Sequence, residues 1–301
     1  MDTKIDFIQV GSVPPKNLSS KRYFGGFLSV DKIYWALALS VVLLLPASSH
    51  ATPSTSNLAI NGDSQLGLTF VNFLCDIQVP GSTPCPAGTG NFLTTGAGAL
   101  SGSFVPYAND PGFIKNINYG AQPLNASFSL LNFVTFSPTG TVLPPDIALD
   151  LTFIVLGTAG VGQCGAPVNP SQVCTPEFPS LITANNPNGL SPFNLANTAE
   201  GSTASITVAG NARRISTGEV TPFNGTFSWT FTSDPGTTDG SYQALLAQFS
   251  TGGTVTTPYS ATFKANLADP APAPEPGTFY LMLSGLLVVV GRARTRLFSR
   301  Q

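Results

Sequence analysis

Thr226-Phe227-Ser228-Trp229-Thr230-Phe231-Thr232 sets an aromatic side chain at every second position, with a hydroxyl-bearing residue on either side of each. Successive side chains of a strand point to opposite faces, so this stretch has an aromatic face backed by a Thr/Ser face. That is the pattern of a strand buried on one side only. Its aromatic and β-branched composition favours the same conformation.

The alternation recurs outward from there. Ile147, Leu149, Leu151, Phe153 and Val155 share a face, as do Ala204, Ile206 and Val208, and then Tyr259, Ala261 and Phe263. The stretches 66–74 and 128–136 are more continuously apolar. In the second the apolar face shifts between Leu130 and Leu131, which predicts a β-bulge. The stretches 101–105 and 113–119 are weaker strand candidates. Tyr242, Leu245, Leu246 and Phe249 instead follow helical spacing, with Ser241 placed as N-cap and Gly252-Gly253 as the stop. Many short strands separated by turns, with one short helix, predict an all-β fold: an antiparallel, jelly-roll-like β-sandwich. Phe and Val faces fill its core and Thr and Ser face solvent. Residues 157–197, rich in Pro, Asn and Gly, are expected to form a long surface excursion.

The two ends of the chain differ from this body. Lys16, Lys21, Arg22 and Lys32 precede an apolar run from Tyr34 to Leu45, then Pro46, then Ser49-His50-Ala51. A basic leader, an apolar run of about 12 residues and small residues at −3 and −1 describe a secretory signal cleaved after Ala51. Such a run is shorter than a membrane span of about 20 residues. Cleavage would remove His50, the single histidine of the chain. The expected organisation is a signal peptide over 1–51, an extracytoplasmic domain over 52–267, and a linker with a membrane segment over 268–301.

Cys75/Cys85 and Cys164/Cys174 are equally spaced, nine residues lying between the members of each pair. In an exported chain an even count predicts disulfides, and the equal local spacing favours 75–85 and 164–174. Zinc is the weaker alternative, since the chain lacks a C-x-x-C knuckle and the mature form would lack histidine. The similar Leu66–Phe70 and Leu149–Phe153 stretches that precede the pairs raise a degenerate repeat as an option.

Only 9% of the residues are charged. Between 52 and 274 eleven acids face four bases, Lys115, Arg213, Arg214 and Lys264. So acidic a body excludes the basic footprint of a nucleic-acid binder.

Three motifs suggest chemistry and fail on inspection. Gly62-Asp63-Ser64 resembles the nucleophile block of GDSL-type hydrolases, but no histidine would remain to take the serine proton, so it reads as a turn before a strand. Gly160-Val161-Gly162-Gln163-Cys164-Gly165 has dinucleotide-binding spacing, yet Pro167 and Pro170 forbid the helix that must follow. The carboxylate pairs Asp146/Asp150 and Asp234/Asp239 have the residue types of a glycosidase acid and base, but fall on a strand's polar face and in a turn. No catalytic, cofactor-binding or metal-ligating residue is assigned. Asn125 and Asn224 begin N-x-S/T triplets.

Asp269-Pro270-Ala271-Pro272-Ala273-Pro274-Glu275-Pro276 forms an extended Pro/Ala linker. The apolar run 279–290 follows, then Arg292, Arg294 and Arg296, a stop-transfer arrangement with its basic end in the cytoplasm. Pro274-Glu275-Pro276, a short membrane helix and terminal arginines, in that order, resemble the PEP-CTERM sorting domain. The resemblance covers about the last 30 residues. It implies passage through the secretion machinery, transient anchoring in the inner membrane, exosortase processing near the motif, and delivery to the cell surface or exopolysaccharide matrix. The body is expected to be a surface or matrix protein without enzymatic activity or cofactor. The alternatives are a carbohydrate-binding module and, less favoured, a secreted hydrolase.

Overall fold

A computed structural model describes residues 55–76, 79, 84–232, 240–267 and 285. The signal-cleavage residues Ser49 and Ala51, the sorting residues Pro274, Glu275, Pro276, Arg292, Arg294 and Arg296, and Asp234 and Asp239 lie outside them.

In chain order the strands are β1 (Ser56–Leu66), β2 (Phe70–Phe73), β3 (Thr89–Thr94), β4 (Pro111–Lys115), β5 (Ile117–Asn118), β6 (Leu130–Phe136), β7 (Ile147–Ile154), β8 (Val173–Cys174), β9 (Asn194–Thr198), β10 (Gly201–Arg214), β11 (Val220–Thr232) and β12 (Val255–Ala265). One α-helix, α1 (Tyr242–Ser250), lies between β11 and β12. Every pairing is antiparallel.

The sheet closes on itself. β1 pairs with β12 along its whole length, from Ser56↔Ala265 to Leu66↔Val255. β12 pairs with β11 and β11 with β10, and the ring returns through β7, β6, β4 and β3 to β1. The all-β expectation with one short helix therefore holds, but the sandwich is corrected to a closed eight-stranded barrel, with β2, β5, β8 and β9 added outside the ring. The physical reason is visible in β10 and β11. Their 14 and 13 residues are too long to stay flat under the right-handed twist of a sheet. Inward-facing glycines let them coil: a Cβ on Gly210 would stand 2.1 Å from the Asp150 carbonyl oxygen, and one on Gly225 would stand 2.5 Å from the Phe263 ring. Glycine at such points relieves a tight bend.

Eight strands leave an interior just wide enough for side chains to fill. Phe73, Phe133, Phe227, Trp229, Tyr259 and Phe263 fill it, the Phe227 ring lying 5.5 Å from Phe73 and from Phe263, and 6.0 Å from Trp229. On β11 the outward residues Asn224, Thr226, Ser228 and Thr230 are polar. This polarity is the inverse of a membrane barrel, whose apolar band faces outward.

Other boundaries move for local reasons. The stretch 66–74 is two strands, because the chain turns at Gly67, whose N–H meets the Phe70 carbonyl at 3.1 Å. Gly62-Asp63-Ser64 is not a turn; it lies inside β1. The stretch 101–105 is 3₁₀ helix (Gly102–Tyr107). The stretch 113–119 is split between β4 and β5. Leu66–Phe70 spans a turn whereas Leu149–Phe153 runs within β7, so the two are not structural equivalents. The bulge in β6 is present, its register slipping between Leu130 and Val134 with Asn132 at φ 52°.

Helix α1 begins and ends as the residues predict. Ser241 Oγ accepts the Ala244 N–H, and Gly252 (φ 76°) and Gly253 donate back to Phe249 and Gln248, closing a Schellman turn.

Candidate functional site

The barrel has two poles. Ser56 and Ala265 stand side by side at one, which we call the terminal pole; the other, the loop pole, carries α1 and the long 155–200 connection.

At the terminal pole Arg214, the last residue of β10, is 9% exposed. Its guanidinium donates to Asp146 Oδ2 at 3.3 Å, to Glu219 Oε2 at 3.3 Å and to Ser103 Oγ at 2.9 Å. Asp146 also accepts the Ser216 N–H (2.7 Å) and hydroxyl (2.9 Å). Burial pushes the Asp146 carboxyl up, but these donors together with Arg214 outweigh it and hold the group below its ordinary range. The Asp146 N–H donates to the Tyr107 hydroxyl at 3.0 Å. Three connections between strands are thereby joined at one arginine.

On the adjoining wall Asp150 accepts the Asn132 N–H at 2.6 Å and pairs with Arg213 Nε at 3.2 Å. Arg213 Nη2 donates to Asn132 Oδ1 (2.8 Å), and Lys115 Nζ to the Leu131 carbonyl (2.6 Å). The bulge takes Asn132 out of the strand ladder, and these charged side chains satisfy the groups it releases. Asp146 and Asp150 are thus each committed to an arginine, and the Asp146 carboxyl, held below its ordinary range, is unsuited to act as a general acid.

Ser64 of the hydrolase-like motif is fully buried. Its Oγ accepts the Trp229 indole N–H at 2.8 Å and donates to the Thr257 carbonyl at 3.3 Å. It satisfies the one polar atom of the largest core side chain. The dinucleotide-like 160–165 stretch lies in the 155–200 connection and opens no helix.

Among the described residues two shallow depressions stand out on the surface. One, of about 480 Å³, is lined by Asp110, Pro111, Thr139, Gly140 and Thr141 among others. Asp110 is buried there, and its oxygens accept the Thr141 N–H (2.8 Å) and hydroxyl (2.9 Å), so the carboxylate holds the 139–142 turn. The other, of about 660 Å³, lies against the Cys75–Cys85 bridge. Among the described residues no cluster of three potential metal ligands forms, no Phe, Tyr or Trp is exposed, and no helix is long and apolar enough to cross a membrane.

Both expected disulfides are formed, with Cα–Cα distances of 5.9 Å for Cys75–Cys85 and 5.1 Å for Cys164–Cys174. No cysteine is free. Two such bridges suit an oxidising, extracytoplasmic compartment. Asn125 and Asn224 are both exposed.

The function of Arg214 was not apparent from residue order. Its signal is weak but readable: two adjacent arginines in a body with four bases, at the end of a strand, followed within five residues by Glu219. No family model, no curated protein and no solved structure matches the chain.

Proposed function

We propose that this chain is an exported, exosortase-processed protein of the cell surface or exopolysaccharide matrix, and that its barrel serves without catalysis. The observation that carries the reading is the order of Pro274-Glu275-Pro276, the apolar run 279–290 and the arginines at 292, 294 and 296. The two disulfides support it, because they suit the compartment to which such a tail would deliver the body. The partners on this reading are the secretion machinery and an exosortase, with exopolysaccharide as the surrounding matrix.

Nothing favours the carbohydrate-binding alternative over this one. Sugar platforms stack on exposed rings, and among the described residues no Phe, Tyr or Trp is fully exposed, Phe70, Phe113, Phe128, Phe153 and Phe178 being half-buried. The hydrolase reading loses its best nucleophile candidate, since Ser64 is bonded beneath Trp229.

Physically, residues 279–290 as a helix span about 18 Å, short of a hydrocarbon core of about 30 Å. Such a segment suits temporary anchoring. Intact-mass measurement of surface material from an exosortase-positive host tests the proposal. The expected protein begins at Thr52 and lacks Arg292 to Gln301, while Glu275→Ala keeps the tail and stays with the membrane fraction. A mature surface form still carrying Arg292 to Gln301 would overturn the processing claim.

A further inference from the structure

We infer that the terminal pole is a membrane-contacting face, which rests on the surface of a lipid bilayer through Val105, Leu143, Ile215 and Val220 while the chain is anchored. The inference rests on the anchored intermediate proposed above and adds to it the orientation of the barrel.

These four aliphatic side chains are 45%, 65%, 55% and 55% exposed. They come from three segments far apart in sequence that are tied together at one spot. Ser103 receives Arg214, the Asp146 N–H meets Tyr107, the Ile215 N–H donates to the Asp146 carbonyl at 2.7 Å, and the Thr141 hydroxyl donates to the Pro106 carbonyl at 2.9 Å. The Arg214 network that pairs with Asp146 and Glu219 therefore also brings together the segments that carry the four apolar side chains.

Exposure alone does not choose this face. Val161, Val168, Val173 and Ile182 on the loop-pole connection are 44%, 52%, 43% and 56% exposed. The tether chooses. The chain leaves the barrel beside the four residues: Thr55 Oγ1 bonds Asn266, and Ser56 Oγ accepts the N–H of Ser103, two residues before Val105. The 11 residues from 268 to 278 reach at most about 36–40 Å when fully extended. β12, the strand from which the linker leaves, has 11 residues and, tilted by about 40°, makes a wall roughly 28 Å tall. To turn the loop pole to the membrane, the linker would have to spend most of that reach running back along the wall. On the wall β11 presents Thr, Ser and Asn, and on β6 Leu131 stands as a single exposed aliphatic side chain rather than one of a group.

The test uses the full chain reconstituted into vesicles of phosphatidylethanolamine and phosphatidylglycerol that contain a lipid with a photoactivatable diazirine high on its acyl chain. Crosslinks are then mapped by mass spectrometry. Labelling is expected in 279–290, in 141–145 and in 215–220, several-fold above that in 161–182. Leu143→Asn combined with Ile215→Asn, both at exposed positions, should abolish labelling of the two turns and leave tail labelling unchanged. A labelled tail with unlabelled turns, or with 161–182 labelled equally, overturns the orientation alone. An unlabelled tail overturns the anchored intermediate and the orientation with it. Turns that stay unlabelled at high protein density in the vesicles and become labelled on dilution of the protein would show that a second copy covers this face, and would also overturn it.

Discussion

The two poles of the barrel solve the same problem by different means. Each must close a ring of strands and satisfy the backbone that leaves it. At the terminal pole the three connections, 95–110, 137–146 and 215–219, are joined by Arg214 through Ser103, Asp146 and Glu219. At the loop pole the 155–200 connection is long, and it is held by the Cys164–Cys174 bridge and by α1. The Tyr242 hydroxyl donates to the Gln163 carbonyl at 2.9 Å, and Gln243 Nε2 to the Ala166 carbonyl at 3.2 Å. A buried ion network fixes directions through geometry and is sensitive to protonation. A short disulfide acts chiefly on the unfolded chain and has no such sensitivity. The difference assigns distinct vulnerabilities to the two ends of one fold.

Arg214→Met should be the most damaging change. It leaves Asp146 and Glu219 half-buried without their cation, and breaking a buried pair from one side costs about 3 kcal/mol or more. Urea unfolding of residues 52–267 measures it. A cost below about 1 kcal/mol, the range of an exposed pair, would mean that the terminal pole is held by packing instead.

The double change Cys164→Ser and Cys174→Ser comes next. A loop of this size closed by a disulfide contributes about 2.7 kcal/mol on the chain-entropy model. Hydrogen exchange should accelerate across 157–197 and leave 214–220 unchanged. Equal acceleration at both poles would break the distinction between them. Ser241→Ala is smaller, about 1 kcal/mol through loss of the N-cap, with the change confined to α1 and its neighbours in the same experiment.

The smallest effect is of pH, and it belongs to the terminal pole. Because the folded Asp146 carboxyl lies below its ordinary value of 3.8, its contribution is fully present above that pH. It is lost as pH falls through the folded value, since the unfolded chain then binds the proton more readily. Stability measured from pH 6 downward should therefore drop below about pH 4. In Asp146→Asn, already less stable at neutral pH, that drop should be shallower. Exchange rates in 157–197 should not follow the acid step.

Much of this was readable from residue order, for reasons that differ by element. The faces of β10, β11 and β12 follow from period-two alternation, which depends only on neighbouring residues. The bulge in β6 showed as a shift of the apolar face at Leu130 and Leu131. Helix α1 carried its cap and its stop within the thirteen residues from Ser241 to Gly253, and the cysteine pairing followed from two equal spacings. Arg214 was harder to read, because its partners lie 5, 68 and 111 residues away. Ser64 was harder still. A short polar motif in a β-rich chain looks like a turn until Trp229, 165 residues on, is found to need its oxygen.

The sequence by itself determined that the body is built of half-buried strands, that its cysteines pair locally and that one short helix interrupts it. Each of these rests on interactions between residues close along the chain. Whether the strands stack as two sheets or close as one was decided only in three dimensions. Alternation reads the same for both, since it records which side chains are inside and not which strand lies next. Closure depends on β1 meeting β12 across about two hundred residues of chain, and on whether long strands can coil far enough to bring those edges together. Here the inward glycines at 210 and 225 permit the bend, and the aromatic rings laid over them fill the space that the bend encloses.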